Sequence, residues 1–158
     1  MKKFLLVVIS AMGGAAISAV CMNMLMKKRI NTIKNMSDKF YALFRLQNQW
    51  VKVKQENKSI VSYLHDNAIK SVAIYGMSFV GERLLKELEN SDIEVKYAID
   101  KNADRIYTDI EVVTPEEKLD EVDAIIVTPV FFYNEIAENL SGKVDSEIIS
   151  IEDILYDI

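Results

Sequence analysis

The sequence predicts an α/β fold with a doubly wound parallel sheet of about five strands in the order 3-2-1-4-5. Two observations carry this prediction. A β-rich run, residues 71–75, ends at Gly76 and leads at once into a helical pattern of leucines, and residues 123–130 include an unbroken apolar run typical of a strand buried on both faces. Strands that alternate with helices imply right-handed crossovers, which place helices on both faces of the sheet.

An uncharged stretch lies near the start of the chain. From Phe4 to Met26 there are 23 residues without a charged side chain, and as a helix they would measure about 34 Å, enough to cross a bilayer. More basic residues follow the stretch than precede it, so the positive-inside bias predicts a single-pass membrane anchor in residues 1–30 with the rest of the chain in the cytoplasm. A cleaved signal peptide and secretion are the alternative.

Charge is divided unevenly along the chain. Residues 1–65 carry 11 basic and 2 acidic side chains, whereas residues 66–158 carry 8 basic and 22 acidic ones. The acidic part repels phosphate backbones, which argues against nucleic-acid binding. Cys21 is the single cysteine, so the chain has no internal disulfide and no CxxC site.

Residues 31–68 are predicted to form an amphipathic helical connector. Its apolar residues recur at helical spacing among basic and amide side chains, and Ser59 is a candidate N-cap for a last short helix. Either these helices pack on the sheet, or the apolar side chains meet a partner protein or the membrane surface. The side chains concerned are Phe40, Leu43, Phe44 and Trp50.

The α/β domain is predicted to occupy residues 69–158. After the second strand, which ends at Asp100, we expect a short strand at residues 111–113. A helix is predicted from Thr114 to Glu121, since threonine, proline and two acids form a typical helix start. A helix from Tyr133 to Leu140, a strand at residues 148–151 and a short terminal helix complete the domain.

The first glycine turn and the second strand together have the form of a Rossmann-like nucleotide-binding unit. Asp100 lies 24 positions after Gly76, near the roughly 20 expected for a ribose-binding acid. Ligands of such sheets bind where the strand order reverses, at the carboxyl ends of the strands. The predicted binding residues are Gly76, Ser78, Phe79, Gly81, Asp100, Lys101, Thr128 and Pro129.

The turn departs from the dinucleotide fingerprint, so alternatives stay open. Ser78 stands where the second glycine would let the backbone approach a pyrophosphate, and Glu82 in the first helical turn would oppose an anion. The glycines could serve only the turn and the helix contact. Asp100 either accepts hydrogen bonds from ribose hydroxyls or only caps the turn before Asn102. The first role suits NAD or a nucleoside better than NADP, because the carboxylate would repel a 2′-phosphate.

No set of catalytic residues can be assembled around the predicted crevice. His65 is the only histidine and precedes the sheet, and no serine-histidine-aspartate, cysteine-histidine or His-Glu-x-x-His arrangement is present. The sequence therefore favours a protein that is not an enzyme, with no catalytic and no metal-binding residue predicted.

From about Gln49 onward the chain resembles the small Rossmann-type domains of bacterial surface-polysaccharide enzymes. The phrases that carry the resemblance are WVKVKQENKS at residues 50–59, VAIYG at 72–76, YAIDK at 97–101 and DAIIVT at 123–128. Similar domains precede the catalytic domains of membrane nucleotide-sugar dehydratases and stand at the head of some sugar acyltransferases. The whole chain also looks like membrane-anchored proteins of Firmicutes.

In those enzymes the domain binds a nucleotide-sugar or has an unassigned role, so NAD, which Asp100 suits, and a nucleotide-sugar are the candidate ligands. The resemblance implies no activity, because the catalytic domains of those enzymes have no counterpart here. The expected function is a membrane-tethered nucleotide or nucleotide-sugar binding module that serves surface-glycan synthesis. One alternative is a structural interaction protein with a vestigial nucleotide site. Another is a nucleotide-sugar oxidoreductase or methyltransferase that a partner subunit completes.

Overall fold

A computed structural model describes Met1 and residues 20–158 in full, and the side chains of residues 2–19 lie outside it. Most of the predicted anchor, Phe4 to Met26, therefore falls outside the described residues. Within the described part of the chain, no helix is long and apolar enough to cross a membrane. The chain divides into two compact units, Met1–Tyr41 and Ala42–Ile158.

Helices and strands alternate along the chain from α2 onward, as the sequence predicts. The helices are α1 (Lys2–Gln55), α2 (Ile60–Asp66), α3 (Phe79–Leu88), α4 (Tyr133–Leu140) and α5 (Ile151–Asp157). The strands are β1 (Ser71–Tyr75), β2 (Glu94–Ile99), β3 (Glu111–Val113), β4 (Ala124–Val127) and β5 (Glu147–Ser150). Two short 3₁₀ turns, Ala103–Arg105 and Val130–Phe132, follow β2 and β4.

The five strands form one parallel sheet in the order β3-β2-β1-β4-β5, which confirms the predicted architecture. β1 is the central strand, and its last residue, Tyr75, pairs with Ile99 of β2 and Val127 of β4. The three central strands therefore end level with one another. The residues that follow them in the chain must share one edge of the sheet.

Each face of the sheet has its own apolar core. One cluster joins inward residues of the sheet to the end of α1 and to α2, α3 and α5, with Leu46, Leu64, Leu84 and Ile154 wholly buried. The cluster on the other face includes Ile136 and Leu140 of α4, among others. Helices thus cover both faces, because alternate side chains of a buried parallel strand point to opposite sides.

A buried carboxylate joins α1, α2 and α3. The Glu87 side chain is 9% exposed and lies 2.6 Å from Lys54 Nζ. Its oxygens also accept hydrogen bonds from Trp50 Nε1 at 2.8 Å and from the Ile60 amide at 3.1 Å. Ser59 caps the same helix start, since its hydroxyl accepts the Ser62 amide at 3.1 Å. Three donors on one carboxylate fix where the connector meets the domain.

The aromatic residues of the connector differ in exposure. Trp50 is buried and Leu43 is half-buried against the core, as expected if the connector packs on the domain. Phe40 and Phe44 are about two-thirds exposed, at 65% and 67%. Of the four predicted partner residues, these two are the exposed ones.

The helix predicted at Thr114 to Glu121 is wrong. The segment forms a turn, in which the Thr114 amide and hydroxyl donate to Glu117 Oε1 at 2.7 and 2.9 Å. These hydrogen bonds hold the pKa of Glu117 below its usual value. The start signal is therefore satisfied locally by one side chain, and no amphipathic stripe follows it to propagate a helix.

Candidate functional site

A cleft lies at the carboxyl edge of the sheet, between β1, β2 and the start of α4. Its volume is about 330 Å³, at the lower end of the range for small-molecule sites. Five predicted residues, Gly76, Ser78, Asp100, Lys101 and Pro129, line it together with Tyr75, Asn102, Phe132, Glu135 and Ile136. The structure therefore brings together most of the predicted set.

Gly76 is a glycine because its backbone and its surroundings both require one. Its φ is +92°, a conformation that other residues rarely adopt. A Cβ added there would lie 2.7 Å from Pro129 Cγ and 2.9 Å from Thr128 Oγ1. The Gly76 amide donates to Ile99 O at 2.8 Å. The turn is thus packed against the segment after β4.

Gly81 serves the contact between the turn and α3. A Cβ at this position would lie 2.0 Å from the carbonyl oxygen of Gly76. Gly81 is buried and does not line the cleft. Its lack of a side chain lets the helix start pass directly over the turn, so this glycine is explained by packing within the chain.

Asp100 is tied to the backbone on both of its oxygens. Oδ2 accepts the Met77 amide at 2.9 Å, across the glycine turn, and Oδ1 accepts the Asn102 amide at 2.9 Å. The capping role considered from the sequence is therefore present. A carboxylate offers about four acceptor sites, so Asp100 keeps capacity for a ligand hydroxyl.

Thr128 is a structural residue. It is buried, and its hydroxyl lies 2.7 Å from the carbonyl oxygen of Gly76 and 3.1 Å from that of Tyr75. Pro129 follows it and forms part of the cleft wall. The pair closes the turn from the side of β4: the Thr128 amide donates to the Tyr75 carbonyl at 3.0 Å, and the hydroxyl reaches the Gly76 carbonyl.

The remaining predicted residues are exposed. Ser78 is the N-cap of α3 but its side chain makes no capping hydrogen bond, which leaves its hydroxyl available to the cleft. Phe79 is 73% exposed and lies outside the cleft lining. Lys101 is exposed and is the only cation among the lining residues.

The cleft is acidic. Burial raises the pKa of the Tyr75 phenol, and Glu116, Asp100 and Glu135 add to the shift by opposing a second negative charge. Tyr75 is therefore a neutral hydroxyl at physiological pH, surrounded by carboxylates. Glu135 lies exposed in the first turn of α4.

Sequence reasoning missed half of the cleft, namely Tyr75, Asn102, Phe132, Glu135 and Ile136. Tyr75 and Asn102 adjoin predicted residues, so their place at the strand ends was available from the pattern. The other three belong to the turn after β4 and to α4. Their approach depends on how the crossover after β4 folds back, which no local sequence signal specifies.

A wider groove lies on one helical face, between the end of α1 and α3. Its volume is about 640 Å³. Val51, Lys54, Arg83 and Lys86 are among its lining residues, with Trp50 and the buried Glu87 carboxylate. It is not at the strand ends where ligands of parallel sheets bind. No group of three metal-ligating side chains occurs among the described residues.

Comparison with known proteins gives one family. The family model described as C2185-like, N-terminal matches residues 68–150. This range includes all five strands of the sheet, Gly76 and Gly81. No curated protein and no solved structure matches the chain.

Proposed function

The chain belongs to the family of C2185-like N-terminal domains, and we propose that its α/β domain is a Rossmann-like, non-catalytic module that binds a nucleotide or a nucleotide-sugar. The observation that carries this proposal is the cleft itself. It lies where the strand order reverses, and it gathers a glycine turn, a strand-end carboxylate and an apolar wall within about 330 Å³.

A binding role is favoured over catalysis by what surrounds the cleft. His65 lies before β1, not after a strand, and pairs with Asp92 at 2.7 Å. Neither it nor Cys21 lines the cleft. Ser78 and Lys101 line it beside the acids, but no imidazole does, so the lining lacks the histidine base that would activate a serine in an acyl-transfer site.

The proposal includes a tether to the membrane through Phe4 to Met26, with the domain on the cytoplasmic side and a role in surface-glycan synthesis. The length of the uncharged stretch and the basic residues after it support this part. After cell fractionation, we expect the full chain in the membrane fraction and resistant to alkaline extraction. A shortened, secreted product would instead identify the stretch as a signal peptide.

The test of binding is a thermal-shift series with the full-length chain against UDP-sugars, NAD and S-adenosylmethionine. A ligand that binds only the folded state at a hundredfold excess over its Kd adds about 2.7 kcal/mol to the free energy of unfolding. Asp100→Ala is a poor probe, because Asp100 also holds two backbone amides. We therefore choose Glu135→Gln.

The matched control is Glu138→Gln, which changes an exposed acid of the same helix outside the cleft. Stabilisation that Glu135→Gln changes and Glu138→Gln preserves would support a ligand in the cleft. A uniform lack of stabilisation across the series would refute the binding proposal.

A second candidate is a structural interaction protein in which the cleft no longer binds a ligand. The observation that favours it is the internal use of Asp100, whose two oxygens accept backbone amides. The exposed Phe44 and the groove beside Val51 would then form the surface that binds a partner protein. Tight binding that depends on Glu135 would argue against this candidate.

A further inference from the structure

We infer that the cleft holds the uncharged, hydroxyl-rich part of its ligand, a nucleoside or sugar, and leaves phosphate groups in solvent. This inference rests on the proposed function and specifies which part of the ligand provides affinity. It also separates this cleft from dinucleotide sites, in which the glycine turn and the helix start bind the pyrophosphate.

The first support is that the chain's own carboxylate already occupies the turn. The Met77 amide donates to Asp100 Oδ2 at 2.9 Å, and the Gly76 amide donates to Ile99 O at 2.8 Å. These are two successive backbone donors of the glycine turn. A phosphate could use them only by displacing a strand-end carboxylate and a backbone hydrogen bond between strands.

The second support is that other atoms of the chain fill the space beside both glycines. The space that a Cβ at Gly76 would take belongs to Pro129 and Thr128, and that at Gly81 belongs to the Gly76 carbonyl. Packing within the chain therefore explains both glycines without a phosphate. Of residues 77–82, only Ser78 lines the cleft.

The third support is charge. Asp100 and Glu135 line the cleft against a single cation, Lys101, and Glu116 lies near enough to oppose ionisation of Tyr75. Carboxylates accept hydrogen bonds from hydroxyl groups and repel phosphate oxygens. The same side chains thus favour a ribose or hexose ring and disfavour a diphosphate.

The shape of the cleft agrees with this chemistry. Pro129, Phe132 and Ile136 supply apolar surface, and the hydroxyls of Ser78 and Tyr75 are polar without charge. A volume of about 330 Å³ is small for a dinucleotide, whereas it suits a single ring with its sugar.

The test is calorimetric titration of the full-length chain with two series of ligands: uridine, UMP and UDP, and adenosine, AMP and ADP. We expect the Kd of each nucleoside to be equal to or lower than those of its mono- and diphosphate. The difference should be about threefold or less, which is the scale of an exposed charge interaction. Affinity should change little with NaCl concentration, because screening mainly weakens contacts between charges.

Glu135→Gln removes one repelling charge without touching the turn. In this variant we expect the ratio of diphosphate Kd to nucleoside Kd to fall, whereas Glu138→Gln should leave the ratio unchanged. Affinity that rises about tenfold or more with each added phosphate would overturn the inference and leave the proposed function standing. If neither nucleosides nor nucleotides bind, both are overturned.

Discussion

Replacing Glu87 tests whether one buried carboxylate holds the connector on the domain. In Glu87→Gln, the side-chain amide has one oxygen for the three donors that converge on it, from Trp50, Ile60 and Lys54. At least one buried donor is left unpaired, which costs about 1–3 kcal/mol. Loss of the contact with the half-exposed Lys54 adds about 1 kcal/mol or less.

We therefore expect Glu87→Gln to lower the free energy of unfolding by about 3 kcal/mol, a large share of the total for a domain of this size. With a urea m-value of about 2 kcal/mol/M, the unfolding midpoint would fall by about 1.5 M. Trp50 is the only tryptophan, so its fluorescence reports on this junction directly. Urea titration of wild type and variant gives the difference.

The control is Glu89→Gln, two residues further along the chain. Glu89 pairs with Lys86, and the two side chains are 44% and 75% exposed. Exposed pairs contribute little, so we expect a change within about 0.5 kcal/mol. If Glu87→Gln were as mild as Glu89→Gln, the three hydrogen bonds would not carry the stability assigned to them and the reasoning would be refuted.

Three further predictions follow from packing and burial. Gly81→Ala should lower the unfolding free energy by at least about 2 kcal/mol in urea titration, although alanine normally favours a helix, because the new Cβ meets the Gly76 carbonyl; a stabilised variant would contradict this. The pKa of Tyr75 is raised in the folded state, so its contribution to the free energy of unfolding is complete below pH of about 10 and is lost as pH rises through the raised pKa. Alkaline unfolding of Tyr75→Phe should therefore start at higher pH than that of wild type. Identical unfolding curves would show that ionisation of Tyr75 does not drive alkaline unfolding. Phe44→Ser should change the melting temperature little, whereas Leu46→Ser, two residues away and fully buried, should cost several kcal/mol; equal effects would mean that the exposed ring is covered in solution.

Much of the fold follows from local patterns in the sequence. The apolar runs predicted the strands, and the glycine turn marked where β1 ends and α3 begins. The alternation of strands with helices predicted right-handed crossovers and the strand order 3-2-1-4-5, and the structure confirms this order. The helix at Thr114 failed for an equally local reason. A capping signal starts a helix only where an apolar stripe continues it, and here Glu117 satisfies the threonine without one.

The candidate site was less accessible from the sequence. The pattern placed Gly76, Asp100 and Pro129 near one another because strands that run parallel end at the same edge. It could not show that Asp100 would reach back to the Met77 amide, since that depends on the rotamer and on the depth of the turn. Nor could it bring Glu135 to the cleft, because the path of the chain after β4 is a tertiary property.

The position of β1 has a consequence for how the chain is made. β1 pairs with β2, which follows soon after, and with β4, and Asp123 beside β4 binds Ser71 across 52 residues of sequence. On the ribosome, one edge of the central strand therefore stays unpaired until β4 emerges. An open apolar strand edge invites pairing with other chains. Synthesis that stalls between β3 and β4 should thus yield an aggregation-prone nascent chain.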